Sequence, residues 1–290
     1  MERPLSYSSA SLLLNCERKY YHHKIAQTPK DFDIDESTKA FDIGKAFHEV
    51  LEETLHEQVK FTDTLLKETV IKYNVEEEEL RIKGMLYKYF ELHNALNLKC
   101  IACEIELKTE DFIGYVDVIL LNPNTGGWWI ADLKTASTID TATLNGLTHN
   151  MQLNLYTHFV SEIAIQLNLK IKDFKGVRYR VTTKSRLKQK KGESDEDYTY
   201  RVFDNIKSID VPVTASKLQV KDVWGSFKAL HQRTLDMSNI SETTQNFSYC
   251  NAYFKPCQFW SKCHGTNFTK SNIKVLDIAT VQELKSNGKI

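Results

Sequence analysis

"GYVDVILLNPNTGGWWIADLKTAS", residues 114–137, reads as two apolar runs around a turn built from Asn, Pro and Gly. Each run carries one aspartate, Asp117 and Asp132, where a core strand would carry valine or leucine. Symmetric pairing about the turn sets Leu121 opposite Trp128. Counting back from there sets Asp117 opposite Asp132. Directly opposed residues on antiparallel strands have β-carbons ~5 Å apart, so two like charges there destabilise the pair unless something positive intervenes. Alternation puts Lys134 on the face of Asp132. Oxygen-only ligands at this spacing suit Mg²⁺ or Mn²⁺, which can polarise a phosphoryl oxygen and acidify a bound water. The same residues also read as a surface hairpin with an ordinary Asp–Lys salt bridge, since a register slip of one residue would turn them outward.

Composition narrows the class. The chain has 290 residues, enough for one elaborated domain with a sizeable core. It is 41% apolar and 26% charged, which excludes a disordered or collagen-like chain. The 38 basic and 38 acidic residues cancel, so any nucleic-acid surface must be a local patch. No apolar run approaches a membrane span, and the N-terminal apolar stretch is too short for a signal peptide. The expectation is a cytoplasmic protein. In that compartment the six cysteines are thiols or metal ligands rather than disulfides.

Outward from the hairpin, the residues before it read as helices. "SSASLLLNCERKYYHHKI" is one, capped by Ser8 or Ser9. "STKAFDIGKAFHEVLEETLHE" is a second, with Phe41, Gly44, His48, Leu51 and Leu55 on one face. Residues 62–96 are helical too. From "KCIACEIELK" the pattern turns to three consecutive strands ending in the hairpin. A helix at 145–167, the strand "KGVRYRVTT", an exposed charged loop at 184–198, the strand "YRVFDNI" and a helix at 215–237 follow. The order predicts an α/β domain around a mixed central sheet flanked by helices.

"GYVD", fourteen residues, then "DLK" resembles the core of the PD-(D/E)XK nucleases, the RecB-type exonucleases in particular, including CRISPR-associated and phage members. The resemblance implies a restriction-endonuclease-like core. It implies that Asp117 and Asp132 bind the metal, that the Leu133 carbonyl adds a ligand, and that Lys134 serves catalysis. "GKAFH" is similar to the G-x-x-x-H of that family and implies His48 as a further metal ligand. "QLNLY" matches Q-x-x-x-Y on the following helix and implies that Gln152 and Tyr156 contact DNA. An acidic residue on the first meander strand, Glu104 or Glu106, is also common there; Glu106 is the choice here.

Cys250, Cys257 and Cys263 lie in "FSYCNAYFKPCQFWSKCHG", and Cys16 lies far upstream. One early and three late cysteines resemble the iron–sulfur staple of many RecB-like nucleases, a 4Fe-4S cluster tying the N-terminal helix to the C-terminal tail. Tyr253, Phe254, Phe259 and Trp260 would shield it. The spacings C-x6-C and C-x5-C depart from the common C-x2-C, and a zinc site is the alternative. Cys100 and Cys103 point to opposite strand faces and need bind nothing.

These readings give one nuclease domain over 1–290. Residues 1–98 are its helical part, 99–240 its core, and 241–290 a cysteine-rich segment packed on the N-terminal helix. The implied activity is a metal-dependent DNA exonuclease acting on single strands or ends, in phage or prokaryotic replication, recombination or repair, or in CRISPR adaptation. Lys184 and Lys188, in a basic cluster after the fourth strand, are candidates for the DNA backbone; a solvated charged loop is the plainer reading. No membrane contact is expected, whereas a homo-oligomer or recombination and replication partners fit. Two rivals remain: a catalytically inactive DNA-binding iron–sulfur subunit, and a metalloprotein whose cysteines alone matter.

Overall fold

The computed structural model describes residues 4–31, 35–57, 61–250 and 256–265. The chain divides into two compact units, Met1–Leu14 with Ile34–Ser238, and Asn15–Asp33 with Asn239–Ile290. In chain order the strands are β1 (Leu5–Ser6), β2 (Lys99–Lys108), β3 (Phe112–Leu121), β4 (Trp128–Ala136), β5 (Phe174–Thr183) and β6 (Ser208–Val213). The helices are α1 (Tyr7–Asn15), α2 (Glu17–Tyr20), α3 (Asp35–Glu57), α4 (Asp63–Lys72), α5 (Glu79–Leu96) and α6 (Thr141–Asn145). They continue with α7 (Met151–His158), α8 (Val160–Gln166), α9 (Asp195–Asn205), α10 (Lys217–Leu235) and α11 (Trp260–His264). Among the described residues no helix is long and apolar enough to cross a membrane.

The larger unit is built on a six-stranded mixed sheet flanked by helices, the architecture the strand and helix order predicts. β2, β3 and β4 form an antiparallel meander, β5 lies parallel to β4, and β6 closes antiparallel on β5. A parallel neighbour needs a crossover, and α6, α7 and α8 supply it. β1 lies parallel to the start of β3, at Phe112 and Ile113. One core packs Phe47, Val50 and Leu51 of α3 and Met85, Leu86 and Tyr89 of α5 against Val118, Leu120, Ala131 and Leu133 of the hairpin. An aromatic cluster joins Phe112, Phe159, Trp224 and Phe227, stacking α10 on the end of α7, with ring centroids 5.0–6.0 Å apart.

Four local expectations give way to the structure. "YRVFDNI" is helical: Ser194 caps α9 by accepting from Asp197 N, and Asp195, Glu196 and Asp197 complement the helix dipole in its first turn. Tyr198 and Val202, one turn apart, then bury against α5, where a Cβ on Gly84 would lie 2.6 Å from Val202. The last strand is instead β6, whose Asp210 pairs with Arg178 and Arg180 of β5 at 2.7 and 2.5 Å. The first helix is interrupted at Cys16, whose backbone is extended (φ −169°, ψ 113°), and Ser6 rather than Ser8 or Ser9 accepts from Ser9 N at its start. Cys100 and Cys103 do not point apart: their sulfurs are 3.4 Å apart, because the strand register shifts between Cys100 and Ala102.

Candidate active site

The hairpin pairs as expected at its turn, with Leu121 opposite Trp128, and the ladder runs to Val118 opposite Ala131. It stops there. The next pair would be Asp117 and Asp132, so both carboxylates sit where β3 and β4 separate. Asp117 fills the gap by accepting from Leu133 N at 2.6 Å. This is a strand hydrogen bond replaced by a side-chain one, and it aims the carboxylate across at β4. Val118, Leu120, Ala131 and Leu133 enter the core; by alternation Asp117 and Asp132 share the opposite parity.

Electrostatics of this pair are adverse. Asp132 is 1% exposed and Lys134 Nζ donates to its Oδ1 at 2.7 Å. Its other oxygen, Oδ2, is buried with no hydrogen-bond partner. Burial pushes the Asp132 carboxyl up to about 6; Asp117 adds to the rise and Lys134 opposes it. Burial also raises Asp117, against the pull of Lys134 and the Leu133 N–H. For Lys134, burial opposes the charge, and the two carboxylates outweigh it and raise the ammonium. One cation therefore stands against two carboxylates, one of which has an unsatisfied oxygen.

His48 comes to the same place from α3. Burial and then the Lys134 charge lower its imidazole to about 4, with Asp132 pulling the other way. It is thus neutral at neutral pH and has a lone pair to give. Gly44, one turn earlier, lets the helix approach β4: a Cβ there would lie 3.1 Å from Thr135 Oγ1. The donor set fits a divalent cation: an orphaned buried carboxylate oxygen, a second carboxylate and a neutral imidazole. Among the described residues no three His, Cys, Asp or Glu side chains stand close enough to hold an ion unaided. Mg²⁺ asks for no such cage, because it retains waters and takes one or two carboxylates.

The other expected residues fall in graded positions. Tyr156 is buried; its hydroxyl donates to the Tyr115 carbonyl at 2.7 Å and accepts from Gln152 Nε2 at 2.8 Å. The pair thus straps α7 to β3 two residues from Asp117, and the phenol has no hydroxyl proton left for DNA. Glu106 accepts from the Tyr115 hydroxyl at 3.1 Å. Glu104 is the acid that meets Asp117. It sits at a positive φ of 50°, and burial, then Asp117 and Glu52, push it up to about 7. Lys184 lines the cleft with His48 and Lys134, whereas Lys188 is exposed on the following loop. The sequence reading omits Glu52, and also Tyr7 and Tyr179, whose hydroxyls are raised by burial and sense Asp132 and Lys134. Position explains two of these. Glu52 is one turn after His48, and Tyr179 is paired with Asp132 across β4 and β5.

The smaller unit collects the other cysteines. Cys16, Cys250, Cys257 and Cys263 line one small pocket of about 10 Å³, beside Phe259 and Trp260. Tyr253 and Phe254 lie outside the described residues. Arg18 Nη1 donates to Gln245 Oε1 at 2.9 Å, Asn246 Nδ2 to the Asn15 carbonyl at 2.9 Å, and Thr244 N to Glu17 at 2.8 Å. These bonds hold the two segments of the unit together. Gln245 Nε2 also donates to Cys250 Sγ at 3.4 Å. Burial pushes the Cys263 thiol up to about 11, neighbouring thiols adding to it and Arg18 opposing. Cys257 is raised in the same way, with Lys19 opposing.

Residues 4–264 match the PD-(D/E)XK nuclease superfamily, and the chain belongs to it. Among solved structures it is similar to one described as the crystal structure of SSO0001, at 13% identity over 80% of this chain and 86% of that one, with a TM-score of 0.30. No curated protein matches.

Proposed function

We propose that this protein is a divalent-metal-dependent deoxyribonuclease, an exonuclease of the RecB-like type acting on single-stranded DNA or DNA ends in the cytoplasm. Superfamily membership supports nuclease chemistry. The observation that carries the reading is the buried, unpartnered Asp132 oxygen beside Asp117, with Lys134 in contact. Asp117, Asp132, the Leu133 carbonyl and His48 would hold Mg²⁺ or Mn²⁺, which when bound polarises a phosphodiester oxygen and acidifies a water. Lys134 keeps its proton at neutral pH, since its ammonium is raised. It can therefore hold positive charge where the attacked phosphate gains negative charge, and orient the attacking water by donation. Tyr156 and Gln152 support that geometry by holding β3 in place. Glu106, Lys184 and Lys188 are assigned to the surroundings of the site.

For the cysteines we propose a structural 4Fe-4S cluster on Cys16, Cys250, Cys257 and Cys263. Support comes from the four cysteines lining one pocket of the smaller unit; a zinc site is the alternative. Burial favours the thiol forms of Cys257 and Cys263 in the metal-free chain, with Lys19 and Arg18 opposing, so ligation would release their protons.

The test is cleavage of end-labelled single-stranded DNA by anaerobically purified protein, with Mn²⁺, with Mg²⁺ and with chelator, beside Lys134→Ala. Metal-dependent loss of label in the wild type alone is expected, and the labelled end that disappears reports polarity. Intact DNA from folded, metal-loaded protein would move the assignment to an inactive DNA-binding subunit.

A further inference from the structure

The cleft beside the carboxylates holds about 400 Å³ and is lined by Phe41, Lys45, His48, Lys134 and Lys184 among others. A second recess, of about 430 Å³, runs from the same Lys184 to Arg186, Asn205 and Lys207. Both are of ligand-site size. Their shared residue is an unusual cation. Lys184 leaves the end of β5, its N–H donates to the Ala136 carbonyl at 2.8 Å, and its Nζ donates to the Ala40 carbonyl at 2.7 Å. Among the described residues no carboxylate pairs with it. A half-buried ammonium with one carbonyl partner keeps two donors for an anion, and a bound anion would offset the burial that lowers its pKa. Gly44 lies beneath it: a Cβ there would make ordinary contact with that Nζ at 3.9 Å.

Phe41 is the second observation. It lies on the α3 face of Gly44, His48, Leu51 and Leu55, and periodicity puts it in the core. Leu51 is 0% and Leu55 5% exposed, yet Phe41 is 64% exposed at the cleft mouth, with Lys45 Nζ 4.5 Å from its ring centre. Lys45 covers one face of the ring and is itself paired with Asp42 at 2.9 Å, so the other face of the phenyl, together with the Lys184 ammonium in the same cleft, matches what a single nucleotide presents: a π-face and a phosphate. Inside a duplex each base face is covered by its neighbours, so away from the duplex ends this ring can be used only by an unstacked strand.

We infer that Phe41 and Lys184 form a clamp for one unpaired nucleotide beside the carboxylate site, its base stacked on Phe41 and its phosphate on Lys184. The clamp selects single-stranded nucleic acid. It rests on the nuclease reading and gives that site its substrate class. Arg186 and Lys207 continue the path for the adjoining phosphates.

The test uses the full chain in chelator with a fluorescent oligothymidylate and, separately, a blunt duplex, each titrated over a salt series. Phe41→Ala is expected to weaken single-strand binding roughly 5- to 100-fold and leave duplex binding unchanged; Phe41→Trp restores it. Lys184→Ala is expected to reduce the slope of log K against log salt by about 0.7, and Lys184→Arg to keep it. Equal loss on duplex and single strand for Phe41→Ala, or an unchanged slope for Lys184→Ala, overturns the clamp. Cleavage by the wild type with Mg²⁺ or Mn²⁺ separates the two ideas. Cutting with no effect of either substitution leaves the nuclease and removes the clamp. Single-strand binding through both residues without cutting keeps the clamp and removes the nuclease.

Discussion

Asp117 and Asp132 come from one hairpin and are brought level by its register. Cys16 and Cys250 are separated by most of the chain, and they share a pocket because hydrogen bonds from Arg18, Asn246 and Thr244 close the smaller unit. The first site is local in sequence and hostile in energy: two carboxylates, one ammonium and an unsatisfied oxygen. The second is remote in sequence and assembled by tertiary contacts. A hairpin can therefore carry groups that repel, because the ladder ending one residue before them and the Leu133 N–H to Asp117 bond hold them, whereas four remote cysteines meet only through their surroundings.

The largest effect should separate chemistry from folding. Lys134→Ala is expected to lower cleavage roughly 10²- to 10³-fold, and Asp132→Ala further, with the circular dichroism spectrum and single-strand binding retained. Wild-type rates in Asp132→Ala would remove the hairpin from catalysis. At the other site the order reverses. If the cysteines hold the proposed cluster, Cys257→Ala loses iron and the thermal transition of the smaller unit together; iron content at the wild-type level would remove Cys257 from the proposed ligand set.

A third prediction sharpens the claim of electrostatic hostility. The folded Asp132 pKa is raised to about 6, so its protonated form contributes stability that is present below the unfolded value, ~3.9, and lost as pH rises through about 6. In chelator at pH 8, Asp132→Asn should therefore be more stable than wild type by about 1–3 kcal/mol, and the gap should close at pH 4. Added Mn²⁺ should raise the wild-type melting temperature and not the variant's. A variant that melts below wild type at pH 8 would mean that the pair is stabilising as it stands. The smallest effect concerns the strap. Tyr156→Phe loses its bonds to Tyr115 and Gln152 and should cost about 1 kcal/mol in stability. It should lower kcat with KM unchanged; a rise in KM alone would return Tyr156 to direct DNA contact.

Legibility tracked how local each feature is. The hairpin, its turn and the three-stranded meander were readable, because period-two alternation and Asn-Gly-Pro chemistry act within a few residues. "YRVFDNI" was misread because a short run with Tyr200, Val202 and Phe203 suits either period. The cap at Ser194 and the packing of Tyr198 and Val202 on Gly84 decided it. The positive φ of Glu104 leaves it facing Asp117, and the bulge between Cys100 and Ala102 brings Cys100 to Cys103, which no alternation rule anticipates.

Sequence alone determined the superfamily core, because the identity and spacing of Asp117, Asp132 and Lys134 set their register on adjacent strands. Only the tertiary structure decided where the ladder stops, and so that Asp117 bonds Leu133 N instead of lying in a regular pair. It also decided that Tyr156 spends its hydroxyl on the Tyr115 carbonyl and that Phe41 stays in solvent at the mouth of a cationic cleft. Those outcomes depend on how α3, α7 and the end of β5 pack around the hairpin, and packing is a property of contacts between segments that no single segment encodes.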